Sequence, residues 1–332
     1  MDSQVTRKLK FLIIYHFEDN DGVCSAAIIY KHLCELYINE DIDTTLLPAN
    51  YAILADIYKN NFNTIINDKL VNIINDFDSV YMTDISFNDF NAMIELYEQY
   101  TNNFIWIDHH YPIIKESIEK GYDKIKGLRT HKHSAIYNAY QYFNEGKDIP
   151  IILRYLSAWD SFTFDDEGLD FEKTRRINVG FTKMFELNIN KWLDSLMFIM
   201  GPYNYGNYLN KAYEIGNEEC NKQDERYKTI IDSFGMSGWS VNGRPAMCII
   251  TTERSSSLMF KSVQDKYLNG ICIKSSNTGN IIVSVYNTNR TDHSFHCGEY
   301  LKQKYNGGGH EGAAGCTLTL EQFAECCKTK SI

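Results

Sequence analysis

The sequence predicts an α/β protein in which a parallel-sheet N-terminal domain is joined through a helical region to a smaller α/β C-terminal domain. Three observations predict it. Short apolar runs at residues 9–15, 79–84 and 104–107 each stop at an acidic or imidazole side chain, as strands of an open α/β sheet do where their carboxyl ends face a ligand. Helix-period patterns separate these runs, and such alternation implies a parallel sheet covered on both faces. After a mostly helical stretch, strand and helix patterns alternate again from Trp239 onward.

Taken in order, the first strand at residues 9–15 ends at His16-Phe17-Glu18-Asp19-Asn20-Asp21-Gly22. A helix near 24–37 follows at once, carrying Ser25, Ala26, Ala27, Ile28, Ile29, His32 and Leu33, so Gly22 reads as the turn from strand into helix. A strand near 44–47 and a helix near 50–60 come next. The run Ser79-Val80-Tyr81-Met82-Thr83 stops at Asp84, and Asn88 or Ser86 is placed to cap the helix near 88–100, because a short polar side chain accepts from the free amides of a first turn. The strand Phe104-Ile105-Trp106-Ile107 delivers Asp108-His109-His110, and a helix near 134–143 closes the alternation. From 149 to about 232 the pattern is mostly helical; Asp160 follows an apolar segment, and the charged run 217–228 reads as an exposed connecting helix. Beyond it, strands at 245–251, 270–274 and 281–286 alternate with helices near 256–267 and 296–304. The expected domains are 1–205 and 237–332, with a helical linker at 206–236.

His16, Asp19 and Asp21 project from one strand end and its loop, a set that suits Mn²⁺ or Mg²⁺ better than a structural zinc. Alone, an acidic turn is as often merely solvated, and Asp84 or Asp160 alone is more often a helix cap. Asp108-His109-His110 alone is more often an incidental loop. Their joint occurrence changes the weight: four acidic or imidazole stations, three at strand ends, can converge on one sheet edge as a binuclear metal site. Carboxylates can bridge two cations and offset their charge, and neutral imidazoles complete the set without adding any.

In this order the motifs resemble those of the DHH phosphoesterase superfamily, which includes RecJ-type exonucleases, bacterial nano-RNases and family II pyrophosphatases. The resemblance implies that His16 and Asp19 hold one metal, that Asp21, His109 and Asp160 hold the other, and that Asp84 bridges them. His110 then faces the substrate phosphate and Asp108 orients a neighbouring histidine; Asp84, Asp108, His109 and His110 form the catalytic set. The first motif departs from the family pattern in its spacing between His16 and Asp19. A second resemblance lies at Gly307-Gly308-Gly309-His310-Glu311-Gly312-Ala313-Ala314-Gly315, which is similar to the GGGHxxAAG loop of the DHH-associated C-terminal domain. There consecutive glycines let backbone approach an anion, with His310 near a phosphate or base. Gly308, Gly309, His310 and His110 are the expected substrate contacts, joined by Arg290 after a predicted strand. Ser255, Ser256 and Ser257, and His131, Lys132 and His133 before a helix start, rank second.

A chain of 332 residues suffices for two cores. No apolar run is long enough for a membrane span, and the start lacks a signal-peptide core and cleavage site. Nine scattered cysteines without a CxxC pair favour reduced thiols and a cytoplasmic protein. The net charge of −10 disfavours a long nucleic-acid groove and fits a short phosphorylated substrate.

The expected function is hydrolysis of short oligonucleotides (nano-RNA) to mononucleotides by a hydroxide that two divalent cations activate, Mn²⁺ ahead of Mg²⁺, in a cleft between the domains. Alternatives are linear or cyclic dinucleotide signals, 3′-phosphoadenosine 5′-phosphate, and, in a different class, a non-catalytic scaffold on the same fold. The partner is a short RNA or DNA oligonucleotide or small nucleotide, with no long duplex and no membrane, and a homodimer is an allowed assembly.

Overall fold

Residues 11–15 are all buried, because strand β1 (Leu9–His16) lies inside a sheet covered on both sides, where a continuous apolar run is what the surroundings demand. The computed structural model describes residues 8–201, 205–252, 255–276, 279–289 and 291–332. It divides into two compact units, Met1–Glu219 and Cys220–Ile332.

In chain order the first unit continues with α1 (Asn20–Leu36), β2 (Ile42–Ala49), α2 (Tyr51–Lys59), a hairpin of β3 (Asn63–Ile66) and β4 (Lys69–Asn72), β5 (Ser79–Thr83), α3 (Phe90–Tyr100) and β6 (Phe104–Ile107). Then come α4 (Tyr111–Glu119), α5 (Ala135–Phe143), α6 (Ile151–Ser161), α7 (Phe171–Phe185), α8 (Ile189–Met200) and the start of α9 (Tyr205–Phe234). The main sheet has the order β2-β1-β5-β6, with every neighbouring pair parallel. Successive side chains of β1 leave opposite faces. Phe11, Ile13 and Tyr15 enter the core built with α1 and α5 to α8, whereas Leu12 and Ile14 enter the one built with α2 and α3. The chain leaves β1 toward β2 on one side and returns as β5 on the other. This reversal makes the gap between the carboxyl ends of β1 and β5 a topological switch point, the usual place for a ligand in an open α/β sheet.

The second unit carries a mixed six-stranded sheet in the order β11-β12-β10-β9-β8-β7. Its elements are β7 (Met236–Val241), β8 (Arg244–Ile250), β9 (Asn269–Ser275), β10 (Ile281–Asn287), α10 (Cys297–Tyr305), β11 (Gly308–Gly309), β12 (Ala313–Leu318) and α11 (Leu320–Thr329). Among the described residues of this sheet β8 and β9 pair in parallel, and the other neighbouring strands are antiparallel. No helix among the described residues is long and apolar enough to cross a membrane.

Three local expectations need correction. Gly22 lies within the first turn of α1 rather than in a turn before it, since Asp19 is the N-cap and accepts from the Gly22 amide at 3.0 Å. Glycine is required there by space: a Cβ would stand 2.0 Å from the His16 carbonyl oxygen. The cap of α3 is Asp89, accepting from Asn91, because burying both Phe87 and Phe90 sets the register one residue beyond Asn88. The helix expected near 256–267 is a 3₁₀ segment at Ser257–Val263, which buries only Met259 and Phe260, too little for a long amphipathic stripe.

Replacing Gly22 with Ala should force β1 and α1 apart beneath the strand end. We expect a loss of about 1–3 kcal/mol in stability, the range for overpacking a tight contact, measured as a lower urea midpoint at unchanged slope. An unaltered midpoint would show that the contact yields freely.

Candidate metal centre

β1 ends at His16, and the Asp19 cap turns the chain into α1 within three residues. Asp19 therefore divides its carboxylate: Oδ1 accepts from the Gly22 amide, while Oδ2 lies 3.1 Å from His16 Nδ1. Asp21, two residues further on and in the first turn of α1, is buried. Its two oxygens accept from the amides of Ala135 at 2.7 Å and Ile136 at 2.8 Å. These are the first amides of α5, where free N–H groups and the helix dipole favour an anion.

Asp84 follows β5 in a left-handed conformation with φ of 57°, which a short polar residue tolerates better than a bulky one. Its amide donates to the Ile107 carbonyl and continues the ladder to β6. The turn points Oδ2 toward His16 Nδ1 at 3.5 Å and Oδ1 toward His109 Nε2 at 3.2 Å. His109 Nε2 also lies 3.2 Å from Asp160 Oδ2, at the end of α6, and 3.6 Å from Asp21 Oδ2. Three sets of donors thus lie within 4.8 Å of one another: His16, Asp19 and Asp84; Asp21, His109 and Asp160; Asp84, His109 and His110.

Burial, and then the charge of Asp21, raises the Asp84 and Asp160 carboxyls well above the usual range. Asp21 is raised by burial too, against the pull of His109. Carboxylates gathered like this, with only imidazoles among them, have the donor chemistry of a site for hard or borderline divalent cations, whose charge offsets the repulsion.

Asp108 lies beneath the cluster, fully buried. Its Oδ1 accepts from the His109 and His110 amides at 2.7 and 3.2 Å and from the His110 Nδ1 at 2.7 Å, and Oδ2 accepts from Trp106 Nε1 at 3.0 Å. Burial pushes its carboxyl up, but these bonds to the His110 ring and backbone outweigh it and hold it below the usual value. Asp108 thus holds the His110 ring in place.

Of the other expected contacts, Gly308 and Gly309 form a short strand paired with β12 in the second unit, and the adjacent His310 is exposed. The amides of Gly307 and His310 already donate to the carbonyls of Leu301 and Ala313. Arg290 lies outside the described residues. The Ser255 hydroxyl accepts from Tyr286 at 3.0 Å. His131 meets Tyr111 edge-on, Lys132 is exposed, and His133 stacks on Tyr137 at 3.9 Å.

Sequence reasoning missed three supporting residues. Arg129 lies 5.0 Å over the Trp106 ring and donates to the carbonyls of Trp106, Asp123 and Ile125. Asn138 donates to the Asp108 and Thr130 carbonyls, and a buried amide on an otherwise apolar helix face was its signal in the sequence. Tyr51 has its ring 6.4 Å from His16. Its phenol is pushed up to about 12, by burial first and then by Asp108, Asp84 and Asp19.

Residues 10–153 match the model of the DHH family, N-terminal domain. The match lies within the first unit and runs from β1 into α6. DHH superfamily members are metal-dependent phosphoesterases, so phosphoester hydrolysis is the activity class of this domain. Among solved structures, a DHH domain described as a member of the s1p family of ribosomal proteins is 14% identical, covers 97% of this chain and 85% of its own, and has a TM-score of 0.62. That likeness is one of fold. A pGpG-specific phosphodiesterase, PggH from Vibrio cholerae, is 15% identical over 97% of both chains with a TM-score of 0.49. An exopolyphosphatase-related protein from Bacteroides fragilis is 13% identical over 97% of this chain and 91% of its own, also at 0.49. No curated protein matches the chain.

Hydrogen bonds to Asp19 first and Asp84 second raise the His16 ring to about 10. A metal needs the neutral ring, so binding Mn²⁺ at pH 7 should release protons, and the apparent affinity should fall as pH is lowered. Calorimetric titration in two buffers of different ionisation enthalpy measures the release. An observed enthalpy independent of the buffer would contradict it.

Proposed function

We propose that the chain is a metal-dependent phosphodiesterase that hydrolyses short oligonucleotides to mononucleotides, nano-RNA foremost, with linear or cyclic dinucleotides as a comparable second substrate class. The observation that carries this reading is the convergence of His16, Asp19, Asp21, Asp84, His109, His110 and Asp160 at the switch point between β1 and β5, with Asp84 facing both His16 and His109.

In this reading His16 and Asp19 hold one divalent cation, Asp21, His109 and Asp160 hold the other, and Asp84 serves both. Mn²⁺ is the expected ion, with Mg²⁺ the alternative. Cations bound there supply Lewis acidity, neutralising phosphoryl charge and lowering the pKa of water. The chain's own residues supply position. Asp21 is fixed by two amides before any substrate arrives. His110, its Nδ1 held by Asp108, keeps its other nitrogen for a phosphate oxygen, where it can donate a hydrogen bond or a proton. The surplus of carboxylates, 43 against 33 basic side chains, supports a small substrate over one with many phosphates. His310 is assigned to the far end of the substrate, supported by its exposure and by the glycines beside it.

Purified protein with Mn²⁺ should release mononucleotides from the shortest members of a panel of di- to decanucleotide RNA and DNA, cyclic dinucleotides, 3′-phosphoadenosine 5′-phosphate and pyrophosphate. Asp84→Ala should lower the rate by on the order of 10³-fold, as loss of a main electrostatic element does. An equal rate in that variant would assign the activity elsewhere, and inactivity of wild-type protein with metal bound would favour the scaffold reading.

Asp108→Asn should keep the metal stoichiometry and lower kcat by about 10- to 100-fold, the usual effect of an outer partner. Loss of metal instead would make Asp108 part of the binding set. His310→Ala should raise KM on dinucleotides; unchanged kinetics would remove His310 from the substrate path.

A further inference from the structure

We infer that the cavity between α2 and the loop 84–89 is a nucleobase pocket that receives the base next to the phosphodiester held at the metal cluster. The inference rests on the phosphodiesterase reading and names a substrate contact within the first unit. The cavity has a volume of about 210 Å³ and is lined by Tyr51, Ala55, Tyr58 and Lys59 from α2 and by Phe87, Asn88 and Asp89 from the loop.

Both walls start at the cluster. In the sheet register His16 is opposite Ala49, and Tyr51 follows two residues later, its ring 6.4 Å from the His16 ring. Asn50 between them caps α2 and donates to Glu18, which ties the helix start to the loop after β1. The other wall begins at Asp84 itself and reaches Phe87 three residues on. A group in this cavity is therefore a direct neighbour of whatever phosphate His16, Asp19 and Asp84 address.

The lining selects a flat ring. Positions 51, 55, 58 and 59 share one face of α2, and at 1.5 Å per residue they span about 12 Å. Ala55 leaves the middle of that face open between two tyrosines. Phe87 is buried and stands edge-on to Tyr58, with centroids 6.2 Å apart. At the rim Asn88 offers an amide, and Asp89 uses Oδ1 for the Asn91 amide, leaving Oδ2 for a donor on a base edge. A carboxylate beside three aromatic rings disfavours a bare phosphate or pyrophosphate and suits a base, which stacks and donates N–H groups. Lys59 is exposed, has no carboxylate partner among the described residues, and stands where the following phosphate would pass. The volume lies below the roughly 300–1,000 Å³ of pockets that take drug-sized ligands, which limits the occupant to a single base.

The test compares hydrolysis of a dinucleotide with that of the same dinucleotide made abasic on one side or the other, and measures binding of adenosine 5′-monophosphate by saturation-transfer NMR. In wild-type protein, removing the base on one side should lower kcat/KM by about 10- to 100-fold, the span of a lost base stack. Ala55→Trp, which fills the cavity from an exposed helix position, should bring that ratio close to one and weaken the monophosphate by about tenfold or more; Ala55→Leu should give a smaller loss of the same kind. Thermal melting verifies that each variant folds. A base-dependence ratio or a monophosphate affinity unchanged in Ala55→Trp would overturn the pocket while leaving the phosphodiesterase reading in place. Monophosphate binding that Ala55→Trp abolishes, in a protein inert toward every phosphodiester, would support the pocket and overturn that reading.

Discussion

The bonds from Asp21 to the first amides of α5 are the constraint on which the rest of the site depends. Several carboxylates must be gathered in a buried place, and each raises the cost of ionising the others. Anchoring one of them on a helix N-terminus gives it two charge-assisted hydrogen bonds without a lysine or arginine. Imidazoles supply the remaining compensation. The cluster therefore keeps a net negative field that a divalent ion satisfies and a resident guanidinium would cancel.

Beneath that layer a second network fixes geometry. Trp106 is packed from one side by Arg129 and donates its indole N–H to Asp108, which in turn holds the ring and backbone of His110. Arg129 donates to four backbone carbonyls, those of Trp106, Asp123, Ile125 and Lys126, rather than to the carboxylates, so it ties down the segment after β6 without pairing with the site. The His110 ring and the amides of both histidines are thus held by the fully buried Asp108, itself bonded to the buried Trp106.

Strands β1, β5 and β6 and the side chains at their ends were legible in the sequence because each is a largely apolar run stopped by an acidic or imidazole residue, a pattern with one simple reading in an open sheet; β2, with Asp43, Thr44 and Thr45 and an end at Ala49, shows only its apolar centre. Features set by contact rather than pattern were not. Gly22 serves close approach to His16, which no local signal distinguishes from a turn. Arg129 acts through backbone carbonyls that any sequence would provide. In the second unit Ala313, Ala314 and Gly315 have low strand propensity and belong, by sequence, to a glycine loop, yet pairing with β10 makes Ala313–Leu318 a strand. The helix after it did carry a signal, since Thr319 and Gln322 form a reciprocal capping box.

Asp21 and Ala135 are separated by 114 positions, and Asp160 comes later still. Closing so long a loop is slow compared with local folding. A chain emerging from the ribosome therefore presents His16, Asp19 and Asp21 long before it can build α5 and α6. Until then it offers a few solvated side chains with little hold on any ion. A cation held by this cluster can thus be captured only once α6 has been made, while the second unit is still to come, and the folded first unit rather than the nascent segment sets which ion is kept.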